Sequence, residues 1–340
     1  MTVDKLDLEL IGPYLNANVE GFRGLRGADK FKGGQSNPTF LLKADSGQYV
    51  LRKQPPGKLL KSAHAVDREY RVISALANTG VPVPRAFHLC KDRDLINGMF
   101  YVMSYENGRI YWDPSLPDCD VPERTAIYDE MNKILAALHD VDVETVGLAD
   151  YGRPGNYFER QIGRWSAQYK ASETEEIPAM DQLIEWLPAN LPEDDGQVSL
   201  THGDYRLDNI VFHPTESRGL AVLDWELSTL GHPYSDLAYQ CMQLRMGQDT
   251  VISGLGGADR QALGIPTEQQ YVADYCRRRA LDGIPNWPFY IVFSFFRLAA
   301  ILQGVLKRAQ DGNASSDKAF QYGAMAPGLA AEAIKVIEEG

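Results

Sequence analysis

Two carboxylates and an amide are spaced along one segment in a pattern that could support phosphate chemistry. Asp204 and Asn209 lie in the run THGDYRLDN at residues 201–209, and Asp224 follows the apolar run at 220–223. A carboxylate such as Asp204 can orient a substrate hydroxyl and accept its proton. The oxygens of Asn209 and Asp224 are hard ligands that suit Mg²⁺. The alternatives are a surface-turn role for Asp204 and a turn-capping role for Asp224.

The spacing His-x-Asp-x-x-x-x-Asn, followed by a hairpin and an Asp at a strand end, resembles the catalytic segment of protein-kinase-like phosphotransferases. Gly203 stands where protein kinases prefer Arg, which points to the aminoglycoside phosphotransferase and choline kinase branch. The segments DWE at 224–226 and GHP at 231–233 resemble a subgroup found fused to, or encoded beside, acyl-CoA dehydrogenases. The resemblance covers the chain from about residue 7 to about residue 310.

This resemblance implies an α+β, protein-kinase-like fold of two lobes. The smaller, β-rich lobe with one main helix would bind nucleotide at 1–105, and a larger, mostly helical lobe at 106–340 would carry catalysis and substrate. The cofactors would be Mg²⁺ and ATP, with GTP as the alternative. His202 would hold the catalytic loop. Asp236 resembles the family's structural Asp, which accepts backbone N–H bonds from that loop, and it could also cap the next helix.

A glycine-rich turn in the first third of the chain could approach phosphate groups. Gly33 and Gly34 would let backbone N–H groups come close to a phosphate, and Ser36 or Asn37 could add a side-chain donor. An ordinary tight turn is the alternative.

Further along the chain, Glu226 could contact a second metal ion or simply line the site.

A kinase-like site also needs a cation on the third strand, and two basic residues stand side by side there. Strand alternation places Arg52 and Lys53 on opposite faces, and Arg52 shares the face of Val50. The family pattern favours Arg52 for the phosphates, with Lys53 as the alternative. Glu69 on the following helix is the expected carboxylate partner, unless it belongs to a solvated charged face.

The strand at 100–103 leads towards the adenine position that the resemblance implies. Met103 would sit at the back of the adenine pocket, and the main-chain groups of Ser104 and Tyr105 would bond the base edge. An ordinary core methionine is the alternative.

Three arginines could contact the phosphate acceptor. Arg160 and Arg164 are one helical turn apart, and Arg297 lies within an apolar run, where a buried guanidinium needs an anionic partner. That partner is either a protein carboxylate or an anionic substrate, such as a hydroxy acid or an acyl-CoA. These cations argue against an aminoglycoside acceptor. The resemblance also suggests an acyl-CoA dehydrogenase as a functional partner.

Composition excludes several other classes of protein. The net charge of −12 argues against nucleic-acid binding, and it fits either plain solubility or a cationic substrate. The four cysteines form no Cys-x-x-Cys pair, and the N-terminus has no signal-peptide pattern, so we expect a cytoplasmic protein with reduced thiols. The apolar segment 287–306 contains Arg297 and Gln303, which indicates a buried helix and no membrane interaction. The oligomeric state is left open.

Periodicity and turn signals predict the elements that must position these residues. They are a hairpin (39–43 and 48–53), a helix (63–77), strands at 81–89 and 99–105, helices at 124–139, 156–171 and 179–187, a hairpin spanning 199–224, helices at 235–244, 267–279, 288–309 and 317–337, and a glycine-rich surface loop (253–264).

The leading hypothesis is a kinase acting on a small-molecule hydroxyl. A second enzyme hypothesis is an aminoglycoside or macrolide kinase. A hypothesis of another class is a pseudokinase that serves as an interaction module. Asp204, Asn209 and Asp224 together argue against the last.

Overall fold

The computed structural model of the chain describes residues 6–31, 37–55, 64–248, 250–312 and 318–339. The chain divides into two compact units, and each is assembled from separated segments. The first unit takes Met1–Arg109, Val146–Leu148 and Asn209–Ser228, and the second takes Ile110–Thr145, Ala149–Asp208 and Thr229–Gly340. The functional division at residue 105 stays a prediction. Gly33, Gly34 and Ser36 lie outside the described residues.

The first unit is built on an antiparallel five-stranded sheet of order β1-β2-β3-β5-β4. Its helices and sheet strands are α1 (Leu8–Asn18), β1 (Leu25–Lys30), β2 (Thr39–Ala44), β3 (Gly47–Lys53), α2 (Val66–Leu76), β4 (Ala86–Cys90) and β5 (Phe100–Ser104). The β2–β3 hairpin confirms the predicted one, and Gly47 supplies the positive φ of +132° at its turn. Apolar residues such as Leu42, Leu51 and Val102, each 0% exposed, form the core against α1.

A second, smaller hairpin returns to the first unit much later in the chain. It consists of β7 (Ile210–Phe212) and β8 (Gly219–Val222), and a short 3₁₀ helix at Trp225–Leu227 follows it. Ile210 pairs with Val222, so the two residues that flank this pair, Asn209 and Leu223, also meet. This hairpin therefore places Asn209 beside the end of the strand that leads to Asp224.

The second unit is mostly helical. Its elements are α3 (Val121–His139), α4 (Tyr157–Ser172), α5 (Pro178–Ala189), β6 (Ser199–Thr201), β9 (Thr229–Gly231), α6 (Tyr234–Arg245), α7 (Arg260–Leu263), α8 (Glu268–Arg278), α9 (Trp287–Gln310), α10 (Ala319–Gly323) and α11 (Ala326–Glu339). Within the described part of the chain, α9 alone is long and apolar enough to cross a membrane, but 83% of its apolar window is buried inside the protein. The prediction of a buried helix there is confirmed.

Several predicted elements differ from those observed. The strand predicted at 81–89 is shortened to β4, because Pro82 and Pro84 cannot donate to a sheet ladder. The segment 199–224 is not a single hairpin, since β6 pairs with β9 instead. The helix predicted from 317 is divided into α10 and α11, and α7 interrupts the predicted glycine-rich loop. Both α1 and β1 went unpredicted.

Candidate active site

A buried ion pair lies at the centre of the candidate site in the first unit. Arg52 is on β3, and its Nε lies 2.8 Å from Oε2 of Glu69 on α2. The two side chains are only 10% and 1% exposed. Burial lowers the pKa of Arg52, but the charges of Glu69 and Asp224 outweigh this and raise it, so the guanidinium stays protonated.

Two further side chains hold Glu69 in place. Asn37 Nδ2 donates to Oε1 at 2.8 Å, and the Tyr101 hydroxyl donates to Oε2 at 3.1 Å. The oxygen of the same Asn37 amide lies 3.0 Å from Nδ1 of His64. Asn37 is fully buried, and both ends of its amide have protein partners, so in this structure its side chain orients Glu69. The sequence suggests a phosphate donor at this position instead.

The two neighbouring basic residues on β3 point to different partners. Lys53 Nζ donates to the carbonyl of Ile96 at 2.6 Å, and burial lowers its pKa. Arg52 instead reaches Glu69 and Asp224. The opposite faces of alternate strand positions explain this separation.

Asp224 follows β8 with an unusual backbone conformation. Its φ of +63° lies in the left-handed region, where an aspartate costs more than a glycine. Leu223 N donates to the Asn209 carbonyl at 2.8 Å, and buried Trp225 donates from Nε1 to the Val222 carbonyl at 2.9 Å. These bonds hold the backbone on both sides of the aspartate.

This conformation directs the Asp224 carboxylate towards the buried arginine. Arg52 Nη2 donates to Asp224 Oδ1 at 2.7 Å and lies 3.6 Å from Glu226 Oε2. The Asp224 side chain is 33% exposed, so solvent still reaches it. Arg52 thus links Glu69 on α2 with two carboxylates that follow β8.

The charges in this group suit a divalent cation. Arg52 carries one positive charge against the three carboxylates of Glu69, Asp224 and Glu226. The oxygens of Asn209, Asp224 and Glu226 are hard donors, as Mg²⁺ prefers. No group of three His, Cys, Asp or Glu side chains within the described ranges could hold a metal unaided. Proteins usually bind Mg²⁺ through one or two carboxylates together with substrate phosphates.

The residues predicted to border adenine lie at the end of β5 or directly after it, since β5 ends at Ser104 and Tyr105 follows it. Met103 pairs with Val50 across β3, and these side chains are 7% and 6% exposed. The Ser104 N–H donates to the carbonyl of Arg85 at 2.9 Å, so this group is already engaged. The roles proposed for the Ser104 carbonyl and for the main-chain groups of Tyr105 stay predictions.

In the second unit, the loop after β6 carries Asp204. Buried Asp236, in the first turn of α6, accepts the N–H of His202 at 2.6 Å and the N–H of Gly203 at 2.8 Å. The Asp204 N–H donates to His202 Nδ1 at 3.2 Å. Gly203 has a φ of +83°, which a side chain would disfavour. Asp236 and His202 together thus accept three successive backbone N–H groups of this loop.

The Asp204 side chain has polar neighbours of its own. Arg206 Nε lies 3.3 Å from Asp204 Oδ1, while its Nη2 donates to Asp208 Oδ2 at 2.9 Å. The hydroxyl of Tyr239 on α6 is also hydrogen-bonded to Asp204, and burial raises the pKa of this phenol. Asp204 is therefore held from its side chain as well as from its backbone.

The three arginines considered for the acceptor have different surroundings. Arg160 donates to the carbonyls of Arg153 and Pro154 at 2.5 and 3.4 Å. Arg164 is exposed, with its guanidinium 4.9 Å from the ring centroid of Trp165. Arg297 is 5% exposed, and it donates to a backbone carbonyl where an acidic partner had been expected.

Sequence reasoning assigned no role to two tyrosines that hold site carboxylates. Tyr239 lies three residues after Asp236 and so shares its helix face, which could have been read from the spacing. Tyr101 stands opposite Arg52 in the strand pairing, and that register follows only from the sheet.

Acidification is expected to destabilise the second unit, because His139 is buried beside Asp236. Burial lowers the pKa of His139, so the unfolded chain binds a proton near the ordinary value of 6.5 before the folded protein does. The free energy of unfolding should then fall as the pH drops below about 6.5, by at most about 1.4 kcal/mol per pH unit for this residue. Burial opposes ionisation of Asp236, but the hydrogen bonds that its carboxylate accepts lower its pKa. The stability that this carboxylate contributes is therefore lost only at lower pH, below the ordinary pKa of 3.8.

Urea unfolding measured between about pH 8 and about pH 5 tests this expectation. His139→Gln should flatten the profile in that range. A wild-type free energy of unfolding that stays constant across it would contradict the assignment.

A protein-family model and several known proteins are similar in sequence to this chain. A family model described as "Phosphotransferase enzyme family" matches residues 28–281. Acyl-CoA dehydrogenase family member 10 of Mus musculus is 48% identical over 302 residues, covering 88% of this chain and 28% of the relative. Family member 11 of Rattus norvegicus is 45% identical over 321 residues, covering 93% and 41%. The chain thus spans less than half the length of these relatives.

Solved structures share the architecture. A putative aminoglycoside phosphotransferase from Ralstonia eutropha is 49% identical, with a TM-score of 0.89, and the match covers 98% of this chain and 99% of that one. A thermostable aminoglycoside phosphotransferase mutant solved with ADP and hygromycin B is 15% identical, with a TM-score of 0.64 and coverages of 96% and 98%. The second likeness concerns the fold alone, and it agrees with the kinase-like fold that the sequence predicted.

Proposed function

Because the chain belongs to the phosphotransferase enzyme family, we propose that it is a kinase that uses ATP and Mg²⁺ to phosphorylate a hydroxyl group on a small molecule. The observation that carries this proposal is the buried ion-pair network of the first unit. Arg52 is held by Glu69 and Asp224 at 2.8 and 2.7 Å. A preorganised guanidinium beside a partly exposed carboxylate suits the joint recognition of phosphate oxygens and a cation.

The proposed roles follow from the chemistry of each group. Arg52 binds phosphate oxygens of the nucleotide, and Glu69 keeps its guanidinium in position. Asn209 and Asp224 hold Mg²⁺, which would neutralise negative charge on the phosphates when bound. Asp204 orients the acceptor hydroxyl and takes its proton as the oxygen bonds to the γ-phosphorus and the bond to the ADP oxygen breaks.

For the acceptor, we propose a hydroxy acid or a hydroxyacyl-CoA. The names of the curated relatives support this choice, and they also support an acyl-CoA dehydrogenase as a functional partner. In the second unit, Trp165 is contacted by the guanidinium groups of both Arg164 and Arg297. An exposed arginine such as Arg164 on an aromatic face favours an anionic ligand group over a cationic one.

An aminoglycoside acceptor is the second candidate. The solved protein from Ralstonia eutropha, which is 49% identical, is described as an aminoglycoside phosphotransferase and favours it. Such an acceptor carries several positive charges, which the exposed guanidinium of Arg164 would repel. The two candidates therefore predict opposite preferences in one acceptor screen.

Nucleotide binding is the first result to expect. ATP with Mg²⁺ should stabilise the protein by about 2.7 kcal/mol at a hundredfold excess over its dissociation constant, which a thermal melt detects. Asp224→Asn should reduce this Mg²⁺-dependent stabilisation, and GTP in place of ATP reports the choice of base. A melt that does not respond to either nucleotide would refute the proposal.

An ADP-release screen over acceptors then separates the remaining hypotheses. The panel should contain hydroxy acids, hydroxyacyl-CoA esters, aminoglycosides and macrolides. ADP release that depends on a hydroxylated acid supports the proposed acceptor, and release that depends on an antibiotic supports the second candidate. Stabilisation by Mg²⁺–ATP without transfer to any acceptor would indicate a pseudokinase.

A further inference from the structure

Arg297 is a buried cation whose contacts converge on the residue proposed to orient the acceptor. It lies on α9 and is 5% exposed. Its Nη2 donates to the carbonyl of Gly203 at 2.6 Å. This carbonyl belongs to the peptide group that joins Gly203 to Asp204, so the guanidinium fixes the plane immediately before the aspartate.

The N–H side of the same loop is already fixed by another element. Asp236 accepts the N–H groups of His202 and Gly203 at 2.6 and 2.8 Å. Gly203 has a φ of +83°, and a glycine in this region can rotate its peptide plane at little cost. Asp236 does not reach the peptide plane that follows Gly203. His202 accepts its N–H at 3.2 Å, and Arg297 holds its carbonyl side at 2.6 Å, so the two bonds together restrict its rotation.

The second contact of Arg297 is with Tyr239, which lies between it and the Asp204 side chain. The guanidinium carbon lies 5.4 Å from the ring centroid of Tyr239, whose hydroxyl is hydrogen-bonded to Asp204. The ring of Trp165 lies on the guanidinium as well, at 5.8 Å. Cation–π contacts of this kind are stronger in a buried site than at the surface.

We infer that Arg297 is a positioning residue that aligns Asp204 for phosphoryl transfer, through the Gly203 carbonyl and through the ring of Tyr239. This inference rests on the proposed function, and it assigns Arg297 to the catalytic loop, where the sequence had suggested the substrate. A displacement of about 1 Å at a reacting group lowers rates by about a hundredfold, so a loosened aspartate should affect turnover strongly.

Arg297→Met tests the inference, because it keeps the apolar stem and removes both contacts. With the acceptor identified by the screen, or with water as acceptor in Mg²⁺–ATP hydrolysis, kcat should fall by about tenfold to a hundredfold. The KM for ATP should stay within about twofold, since nucleotide contacts are unaffected. Arg297→Lys, which can still donate to the carbonyl, should recover part of kcat. Methylguanidinium should restore turnover to Arg297→Ala.

Gln303→Met is the matched control on the same helix. Gln303 is 1% exposed, and its Nε2 donates to the Ser172 carbonyl at 2.9 Å and to the Thr174 hydroxyl at 2.8 Å. Its replacement should lower the melting temperature without changing kcat. If Arg297→Met retains wild-type kcat, or if Gln303→Met loses as much kcat as Arg297→Met at a comparable loss of stability, the inference is wrong.

Hydrogen exchange separates this inference from the proposed function. In Arg297→Met, the amides of residues 202–204 should exchange faster than in the wild type and in Gln303→Met. This readout needs no turnover. Unchanged exchange overturns the inference even if the wild type is an active kinase. Locally faster exchange supports the positioning of the loop even if the wild type transfers phosphate to nothing, a result that would refute only the proposed function.

Discussion

Asp204→Asn is expected to lower kcat for phosphoryl transfer by about a hundredfold to ten-thousandfold, the usual contribution of a positioned general base. Asparagine keeps the shape of the side chain and can still bond Tyr239. It cannot accept the proton of the attacking hydroxyl. Because the Asp204 backbone is held through His202 and its Gly203 neighbour through Asp236, we expect the loop to keep its conformation.

Three measurements define this result. Turnover is measured as ADP release with the acceptor found by the screen, stability by a thermal melt, and nucleotide binding by the shift of that melt with Mg²⁺–ATP. Only turnover should change. Asp208→Asn, four residues along in the same loop, is the matched control, and its kcat should stay within about fivefold of the wild type. Near-normal turnover in Asp204→Asn would remove this residue from the mechanism.

Arg52→Met should produce the largest loss of stability, about 3–5 kcal/mol, which is typical when one partner of a buried ion pair is removed. Glu69 would keep its hydrogen bonds from Asn37 and Tyr101, but its charge would be buried at 1% exposure without a counter-ion. Asp224 would lose the same cation, although at 33% exposure it remains partly solvated. The same variant should also lose stabilisation by Mg²⁺–ATP.

Urea unfolding measures this loss in the free energy of unfolding, and hydrogen exchange in β3 and α2 tests whether the loss arises there. Arg26→Met is the control, because Arg26 pairs with Asp45 at the surface of the same sheet, with side chains 73% and 50% exposed. The urea midpoint of Arg26→Met should therefore equal that of the wild type within measurement. The double variant Arg52→Met with Glu69→Met should regain part of the stability, since no buried charge is left at position 69. A wild-type midpoint for Arg52→Met alone would rule out the ion pair as a source of stability.

Local patterns predicted a large part of this fold. The Ser-Gly turn and the alternating strands at 39–53 produced the β2–β3 hairpin, and helical periodicity located α3, α4, α6 and α9. Alternation along β3 also anticipated that Arg52 and Lys53 would point to different partners. These signals depend on residues close together in the chain, where side-chain direction follows directly from backbone geometry.

Features that depend on distant pairing could not be predicted in the same way. The strands β6 and β9 have three residues each and meet across 27 intervening positions, so neither carries a pattern of its own. The bond from Arg297 ends on a backbone carbonyl, and every residue has one. The roles of Asp204, Asn209 and Asp224 as a set remain a prediction that the experiments above address.

The return of residues 209–228 to the first unit has a consequence for dissecting this protein by truncation. A polypeptide ending near residue 109 would contain Arg52 and Glu69 but would lack Asp224 and Glu226. Two of the three carboxylates that face the guanidinium would then be missing from an otherwise intact sheet. Cutting the gene near residue 109 would therefore yield a fragment in which Arg52 keeps only Glu69 as a partner, and supplying residues 209–228 as a tethered peptide is the rational way to restore the others.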